Sequence, residues 1–356
     1  MDKKVIAVIF GGCSPEYEVS LKSGYSIINA IDLNKYEVLM LGIERLGRWY
    51  WYTGKVDDIP TDKWHTDKRF LKDVTISVSR GGGLLVFEGD NVTAMHVDVV
   101  FPVLHGRYGE DGTIQGLCEL SDIPVVGSGS AASALCMDKD RAHKLVSNGG
   151  IRIPESVCFE YEPTLEEISK AISGMKTPLF VKSVKTGSSF GITKIESLEE
   201  LGDAVRKALS FDDAFIIEEC IGGFEVGCAV VGNHELKTGR IDEIELARGF
   251  FDYEEKYTLK TAKIHSPARI DPDIERRLQE TAKSIYRILG CRGYARVDMF
   301  LTEKNEIVFN ETNTIPGFTP HSRFPKMMDG VGVGFAELVS MLIELSLAKA
   351  SGTDMA

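Results

Sequence analysis

Nowhere among the 356 residues does an apolar run approach the ~20 side chains that cross a bilayer as a helix, which argues against a membrane span. The opening MDKKVIAVIFGG has a basic start, but its apolar run, VIAVIF, soon ends in Gly-Gly. It reads as a first buried strand rather than a signal peptide. Basic residues are in deficit, 41 Lys and Arg against 53 Asp and Glu, for a net charge of −12. That argues against broad binding to nucleic acid or an anionic membrane, and leaves room for a local basic pocket. The seven cysteines are odd in number and none are spaced C-x-x-C, so they read as reduced thiols of a cytoplasmic protein. G-x-G-x-x-G and the Walker A pattern are both missing, as are repeats and low-complexity tracts. What remains is an ordinary globular composition, 43% hydrophobic and 26% charged, long enough for two or three domains.

The pattern opens as strand, loop, helix and strand: VIAVIF (5–10), a helix over 21–31, then YEVLMLGI. This order predicts a parallel α/β sheet. A later buried strand covers 97–106, a helix begins at TIQGLCEL, and one helix is expected from Ser130 to Asn148. Strands mixed with a polar helix fill 151–220. A strand-rich block follows at 225–231, 240–246, 263–267, 294–301 and 306–313, with helices at 273–289 and 333–348. The chain divides at about 138 and 224.

Three stretches bear on chemistry. ARVDMFLTEKNEIVFNETN reads as a hairpin closed by the turn TEKN. Simple alternation places Glu311 and Asn313 on the face that Ile307 and Phe309 turn inward, where an unpaired carboxylate is costly. A hairpin register that sets Asp298 beside Glu311 gives, with Asn313, three hard oxygen ligands suited to Mg²⁺ and phosphate. The alternative is a solvated acidic hairpin. VKSVKTGSSFG (181–191) is a strand followed by a loop whose glycines and hydroxyls, Ser188 and Ser189, suit phosphate oxygens; a plain polar loop has the same composition. FGGCSPEYEVS sets Glu16 at the carboxyl end of the first strand, where open α/β sheets bind ligands, or else as a carboxylate at a helix N-terminus. His105, in the loop LHGRYGEDG, is a candidate substrate contact or a satisfied loop histidine.

Taken together, EYEVSLKSG, HGRYGEDGTIQG, SALCMDKDRAHKL, GSSFG, FDYEEKY, ARVDMF and NETNTIPGFTPHSRFP resemble, in order, the D-alanine–D-alanine ligase family of the ATP-grasp superfamily. Within it the likeness is to the G-type vancomycin-resistance ligases that make D-alanyl-D-serine. The resemblance implies an α/β fold, α+β in its later parts: a three-domain ATP-grasp fold with a Rossmann-like N-terminal domain. Its domains are an N-terminal substrate-binding domain (1–138), a central ATP-grasp subdomain (139–224) and a C-terminal catalytic domain (225–356).

The same resemblance assigns roles. Lys139, Lys182, Ser189 and Lys256 would meet ATP phosphates, Glu218, Glu219 and Ile221 the adenine, and Glu225 the ribose. Asp298, Glu311 and Asn313 would hold two Mg²⁺ ions, for which Mn²⁺ substitutes. Glu16, Ser188 and Tyr257 would orient the first D-alanine. Arg296 and the Gly317 N–H would serve an oxyanion, and His105 and Ser322 a substrate carboxylate. Arg323, with Asp242 and Phe251, resembles the set that selects D-serine; D-alanine-specific members usually have an apolar residue at 323. Two positions depart from the family, Ser183 where proline is frequent and Thr186 where glutamate is. The implied reaction makes an acyl phosphate of D-alanine from ATP, which the amine of a second D-amino acid attacks under a lid at 249–262. D-lactate fits least as second substrate, because the chain keeps Lys256 and Tyr257. A homodimer is the expected assembly. Three alternatives stand beside this reading: a D-alanine–D-alanine ligase of ordinary cell-wall synthesis, with Arg323 pointing to solvent or only steering carboxylates; another ATP-grasp carboxylate–amine ligase; and a nucleotide-binding sensor without catalysis.

Overall fold

The structure, a computed structural model, describes residues 3–187, 191–246 and 262–350. Three sheets organise them. The first contains β1 (Lys4–Gly11), β2 (Tyr36–Ile43), β3 (Trp49–Tyr52), β4 (Leu71–Ile76), β5 (Leu84–Glu88), β6 (Asn91–Met95) and β7 (Val99–Pro102), in the order β6-β5-β4-β3-β2-β1-β7. Its parallel ladders are those of β1 with β2 and β7, and Val100 of β7 adds a single parallel bridge to Val125. The remaining ladders are antiparallel, so the expected parallel sheet is corrected to a mixed one. The cause is linker length. Helix α1 (Tyr17–Ala30) provides the crossover between β1 and β2. Residues 44–48, between β2 and β3, are too few for a crossover, and the chain turns back into a meander.

Around β1 both faces of this sheet are covered. Ile6, Val8, Phe10 and Phe101 pack toward α1 and the C-terminal segment, against Phe318, Phe324 and Leu342. Ala7, Ile9, Leu41 and Val100 pack on the other side with Ile114 and Cys118 of α2 (Thr113–Leu120). Two-sided burial explains the unbroken apolar run VIAVIF, each such side chain contributing about 1.5–3 kcal/mol.

The helix expected over 130–148 is two helices, α3 (Ser130–Met137) and α4 (Lys139–Asn148). Asp138 breaks them. It takes an extended conformation and its carboxylate accepts from the Arg141 N–H, the bonding of an N-cap. The second sheet orders β8 (Ser156–Phe159), β9 (Leu179–Ser183), β10 (Thr193–Ile195) and β11 (Phe215–Glu219) as β10-β9-β11-β8. Helices α5 (Leu165–Ala171) and α6 (Leu201–Leu209) cover it through Ile168, Ala204 and Ala208.

The third sheet runs β15-β14-β12-β16-β17, with β13 (Lys237–Thr238) on β12. Its strands are β12 (Phe224–Val231), β14 (Asp242–Leu246), β15 (Ala262–His265), β16 (Tyr294–Leu301) and β17 (Ile307–Asn313). One face packs Val226, Cys228, Val297, Met299 and Phe309 against Leu278, Ala282 and Ile285 of α7 (Pro272–Ile288). The last described elements are α8 (Arg323–Asp329) and α9 (Phe335–Ala350).

Candidate active site

The other face of the third sheet carries charge, and the register fixes where. Asp242, Gly227, Asp298 and Glu311 lie abreast on β14, β12, β16 and β17; two residues along, Ala229, Arg296 and Asn313 form the next row. The pairing of Asp298 with Glu311 is the one the hairpin reading requires. The face is not. Alternation along β17 puts Glu311 on the side of Phe309, but the ladder slips between Asp298 and Met299. Met299 faces Phe309, Asp298 faces Glu311, and Asn310 has no partner across the ladder. This β-bulge turns the end of the strand over. Phe309 stays in the apolar core, while Glu311 and Asn313 join Arg296 and Asp298.

Asp298 is buried and held from two sides. Arg296 donates to it from Nε at 2.8 Å and Nη2 at 2.7 Å, and Asn313 Nδ2 donates at 2.9 Å. Burial opposes the charge of Arg296, but Asp298 beside it holds the guanidinium above its ordinary range. Arg323, at the start of α8, lies across the first row. It donates to both oxygens of Asp242, from Nε at 2.7 Å and Nη2 at 2.8 Å, and stands 3.3 Å from Glu225 and 3.5 Å from Asp298. Its side chain is 8% exposed, so it does not point to solvent. Gly227 makes room: a Cβ there would stand 2.5 Å from Arg323 Nη2 and 2.7 Å from Asp242 Oδ1. The Gly227 N–H donates to the same Asp242 oxygen.

On the second sheet Lys182 Nζ pairs with Glu218 at 2.6 Å. Burial alone would raise the Glu218 carboxyl, but Lys182 and then His143 hold it below the usual range. Lys139 opens α4 and donates to the Thr186 carbonyl at 2.7 Å, tying the loop before residue 188 to that helix. Glu219 accepts from the Glu155 N–H and stands 3.7 Å from Arg152. Ile221 lies in the turn after β11.

The first sheet contributes Glu16, buried at the entry to α1 without capping it through its side chain. Cβ atoms built on Gly106 and Gly187 would stand 2.7 and 3.5 Å from its Oε2, so the carboxylate lies where these two loops converge. His105 is buried. Its Nδ1 is 2.9 Å from the Ile315 carbonyl and its Nε2 is 3.4 Å from Ser23 Oγ, so the ring already joins two segments of the protein. Gly317 lies in the loop after β17, and Ser322, the N-cap of α8, accepts from the Thr319 N–H at 3.0 Å. Ser188, Ser189, Phe251, Lys256 and Tyr257 lie outside the described residues, as does the lid segment apart from Ala262, which begins β15.

Asp298, Glu311 and Asn313 offer hard oxygens from adjacent strands, a donor set that fits Mg²⁺ completing its shell with phosphate and water. Among the described residues no group of three or more His, Cys, Asp and Glu side chains is placed to hold a metal ion, so this set relies on the Asn313 amide as its third ligand.

Comparison with known proteins agrees with this architecture. The D-ala D-ala ligase N-terminus family matches residues 5–128 and the D-ala D-ala ligase C-terminus family residues 145–344. The chain belongs to the D-alanine–D-alanine ligase family. The vancomycin C-type resistance protein VanC1 of Enterococcus gallinarum is 44% identical, covering 96% of this chain and 98% of its own. The D-alanine–D-alanine ligase of Caldicellulosiruptor bescii is 41% identical over 98% and 96%. The crystal structure of the VanG D-Ala:D-Ser ligase from Enterococcus faecalis superposes with a TM-score of 0.91 at 53% identity, covering 97% of this chain and 100% of that one. The fold is the mixed α/β ATP-grasp arrangement of these ligases.

Sequence reasoning missed three groups in this ligase. Glu110 accepts from the Gly106 and Ile315 N–H groups at 2.8 and 3.2 Å. Loss of water around it, then the charge of Glu16, push it up to about 8. It stands in HGRYGEDG, where only the histidine attracts attention. Gly227 has no sequence signal, since its role depends on an arginine 96 positions later. His143 did have one: it follows Lys139 by four residues on α4, hence on the same face.

Proposed function

We propose that this protein joins D-alanine to D-serine at the expense of ATP, for peptidoglycan precursors that resist vancomycin. The carrying observation is the seat of Arg323: a buried guanidinium, clamped by Asp242 and laid over Gly227, immediately after Ser322. A site that accepts a hydroxyl in place of a methyl hydrogen needs a fixed polar group nearby, and a guanidinium so held is fixed.

In this reading the D-alanine carboxylate attacks the γ-phosphate, ADP departs, and an acyl phosphate forms. The amine of D-serine attacks the acyl carbon, and phosphate leaves as the amide forms. Lys139 and Lys182 bind phosphates, and Glu16 orients the first D-alanine. Arg296 and the Gly317 N–H take the oxyanion of the tetrahedral intermediate; losing one such donor costs ~3 kcal/mol of barrier. Asp298, Glu311 and Asn313 would hold Mg²⁺ or Mn²⁺, which when bound neutralises charge on the phosphates. The adenine would meet Glu218, Glu219 and Ile221, and the ribose Glu225. The reading includes a cytoplasmic homodimer divided at about 138 and 224, its assembly measurable by light scattering.

The test is product analysis with equal D-alanine and D-serine. The wild type should release mostly D-alanyl-D-serine. Removing Arg323 alone strands Asp242 as a buried unpaired charge, so the variant is Arg323→Leu with Asp242→Asn. It should lose D-serine preference and keep D-alanyl-D-alanine synthesis. A wild type that makes only D-alanyl-D-alanine is an ordinary cell-wall ligase, and one that ignores D-alanine belongs to another ATP-grasp activity.

A further inference from the structure

His143 sits at the junction of α4, β11 and β17, and the reaction outlined above does not use it. The residue is 1% exposed. Its Nε2 lies 2.8 Å from the carbonyl of Asn310, the residue that the β17 bulge leaves without a ladder partner. A carbonyl accepts, so Nε2 carries the proton and donates. On the other side Nδ1 stands 3.7 Å from Glu218 Oε1, and neither atom has a hydrogen-bond partner among the described residues. The Phe309 ring packs edge-on against the imidazole, centroids 5.5 Å apart.

This asymmetry shows which bond fixes the ring. An imidazole placed to serve Glu218 would close to hydrogen-bond distance of it. The short bond goes instead to the bulge, at the expense of leaving two buried polar atoms apart, a costly arrangement. Asn310 precedes Glu311, so the position of its carbonyl sets the path of the backbone carrying that carboxylate. Glu218 in turn pairs with Lys182. A continuous chain of contacts thus runs from the lysine on β9, through Glu218 and His143, to the bulge on β17.

We infer that His143 is a positioning residue: by donating to the Asn310 carbonyl it holds the bulge open and sets Glu311 for metal–nucleotide binding, at a fixed distance from Lys182. The inference rests on the ligase reading, and deepens it. Outer-shell partners of metal ligands typically affect metal affinity by about 10- to 100-fold.

The experiment measures binding of ADP with Mn²⁺ by titration calorimetry, without turnover, on the full chain. Three variants are compared with wild type, each with its melting temperature. His143→Gln keeps an N–H donor near the Nε2 position; His143→Phe and His143→Met keep bulk and lose the donor. The expected result is a roughly 10- to 100-fold weaker affinity in the Phe and Met variants, with the Gln variant retaining most of wild-type binding. In steady state the same two should raise the Mg²⁺ requirement and leave the KM for D-alanine unchanged. Wild-type affinity in a folded Phe or Met variant overturns the inference. So does a Gln variant as weak as the Phe variant while melting like wild type, since the donor would then be irrelevant. A wild type that fails to bind ADP with Mn²⁺ instead overturns the ligase reading itself.

Discussion

The first and third sheets handle their two faces in opposite ways. In the first, β1 buries apolar side chains on both sides, Ile6, Val8 and Phe10 on one and Ala7 and Ile9 on the other. In the third, β16 buries Val297 and Met299 on one side and presents Arg296 and Asp298 on the other. One sheet is a partition between two cores. The other is a wall with a core behind it and charged side chains in front at Arg296 and Asp298, beyond which Tyr294 and Val231 carry the same face into the first sheet's core. Residue types therefore mean different things in each: a change in the first should alter stability, and a change on the charged face of the third should alter chemistry.

The strongest way to break this contrast is Glu311→Gln. It removes a charge from the ionic face and leaves the apolar face untouched, so the variant should fold and lose more than ~100-fold in kcat, the scale of losing one electrostatic contributor in a preorganised site. Excess Mg²⁺ or Mn²⁺ should restore part of it; near-normal turnover at ordinary Mg²⁺ would refute the metal assignment. Gly227→Ala probes the boundary between the two behaviours. The added methyl would meet Arg323 and Asp242 well inside contact distance. Overpacking of this kind costs about 1–3 kcal/mol, and the product ratio should shift away from D-serine because the guanidinium must move. An unchanged ratio would show that Arg323 does not select.

Glu110 sharpens the contrast through pH. Its carboxyl is raised to about 8 in the folded protein, first by burial and then by Glu16. Between the ordinary carboxylate range and that value the folded state holds a proton that the unfolded state has released. Stability therefore falls as pH rises across this window. Glu110→Gln cannot ionise, so its melting temperature relative to wild type should be higher at pH 8.5 than at pH 5. A constant difference would remove Glu110 as the cause. The smallest effect is expected in the meander of the first sheet. Ile76→Val should cost about 0.5–1.5 kcal/mol, seen in denaturant melts, with substrate KM and metal dependence unchanged.

Much of the third sheet was legible because long strands alternate and polar turns punctuate them. The hairpin over 294–301 and 307–313 lies where the pattern places it, as does α7. The meander was not legible. Strands β3 to β6 are short, and β6 is exposed along nearly its whole length, so alternation has too few positions to register. The break at Asp138 was available, since aspartate ahead of a helical run is a cap signal; the apolar pattern on both sides concealed it. At the site, residue types and pairing partners were readable, whereas the face of Glu311 was not. Alternation assumes an unbroken ladder, and nothing in IVFNETN announces the extra residue. Arg323 beside Asp242 came from family likeness, while its wedge over Gly227 required three strands in register.

The bulge has a consequence for which changes the chain can tolerate. At Asn310 the ladder and His143 use only the main chain, one more residue of length and one carbonyl. Many other side chains could stand there without disturbing either. Removing the residue is a different kind of event. With Phe309 and Glu311 then adjacent, plain alternation would still set them on opposite faces, Met299 against Phe309 and Asp298 against Glu311, and what is lost is the bulge and the carbonyl that His143 bonds. Deleting this one residue therefore separates the seat it gives His143 from the facing of Glu311, which no substitution of the Asn310 side chain can do.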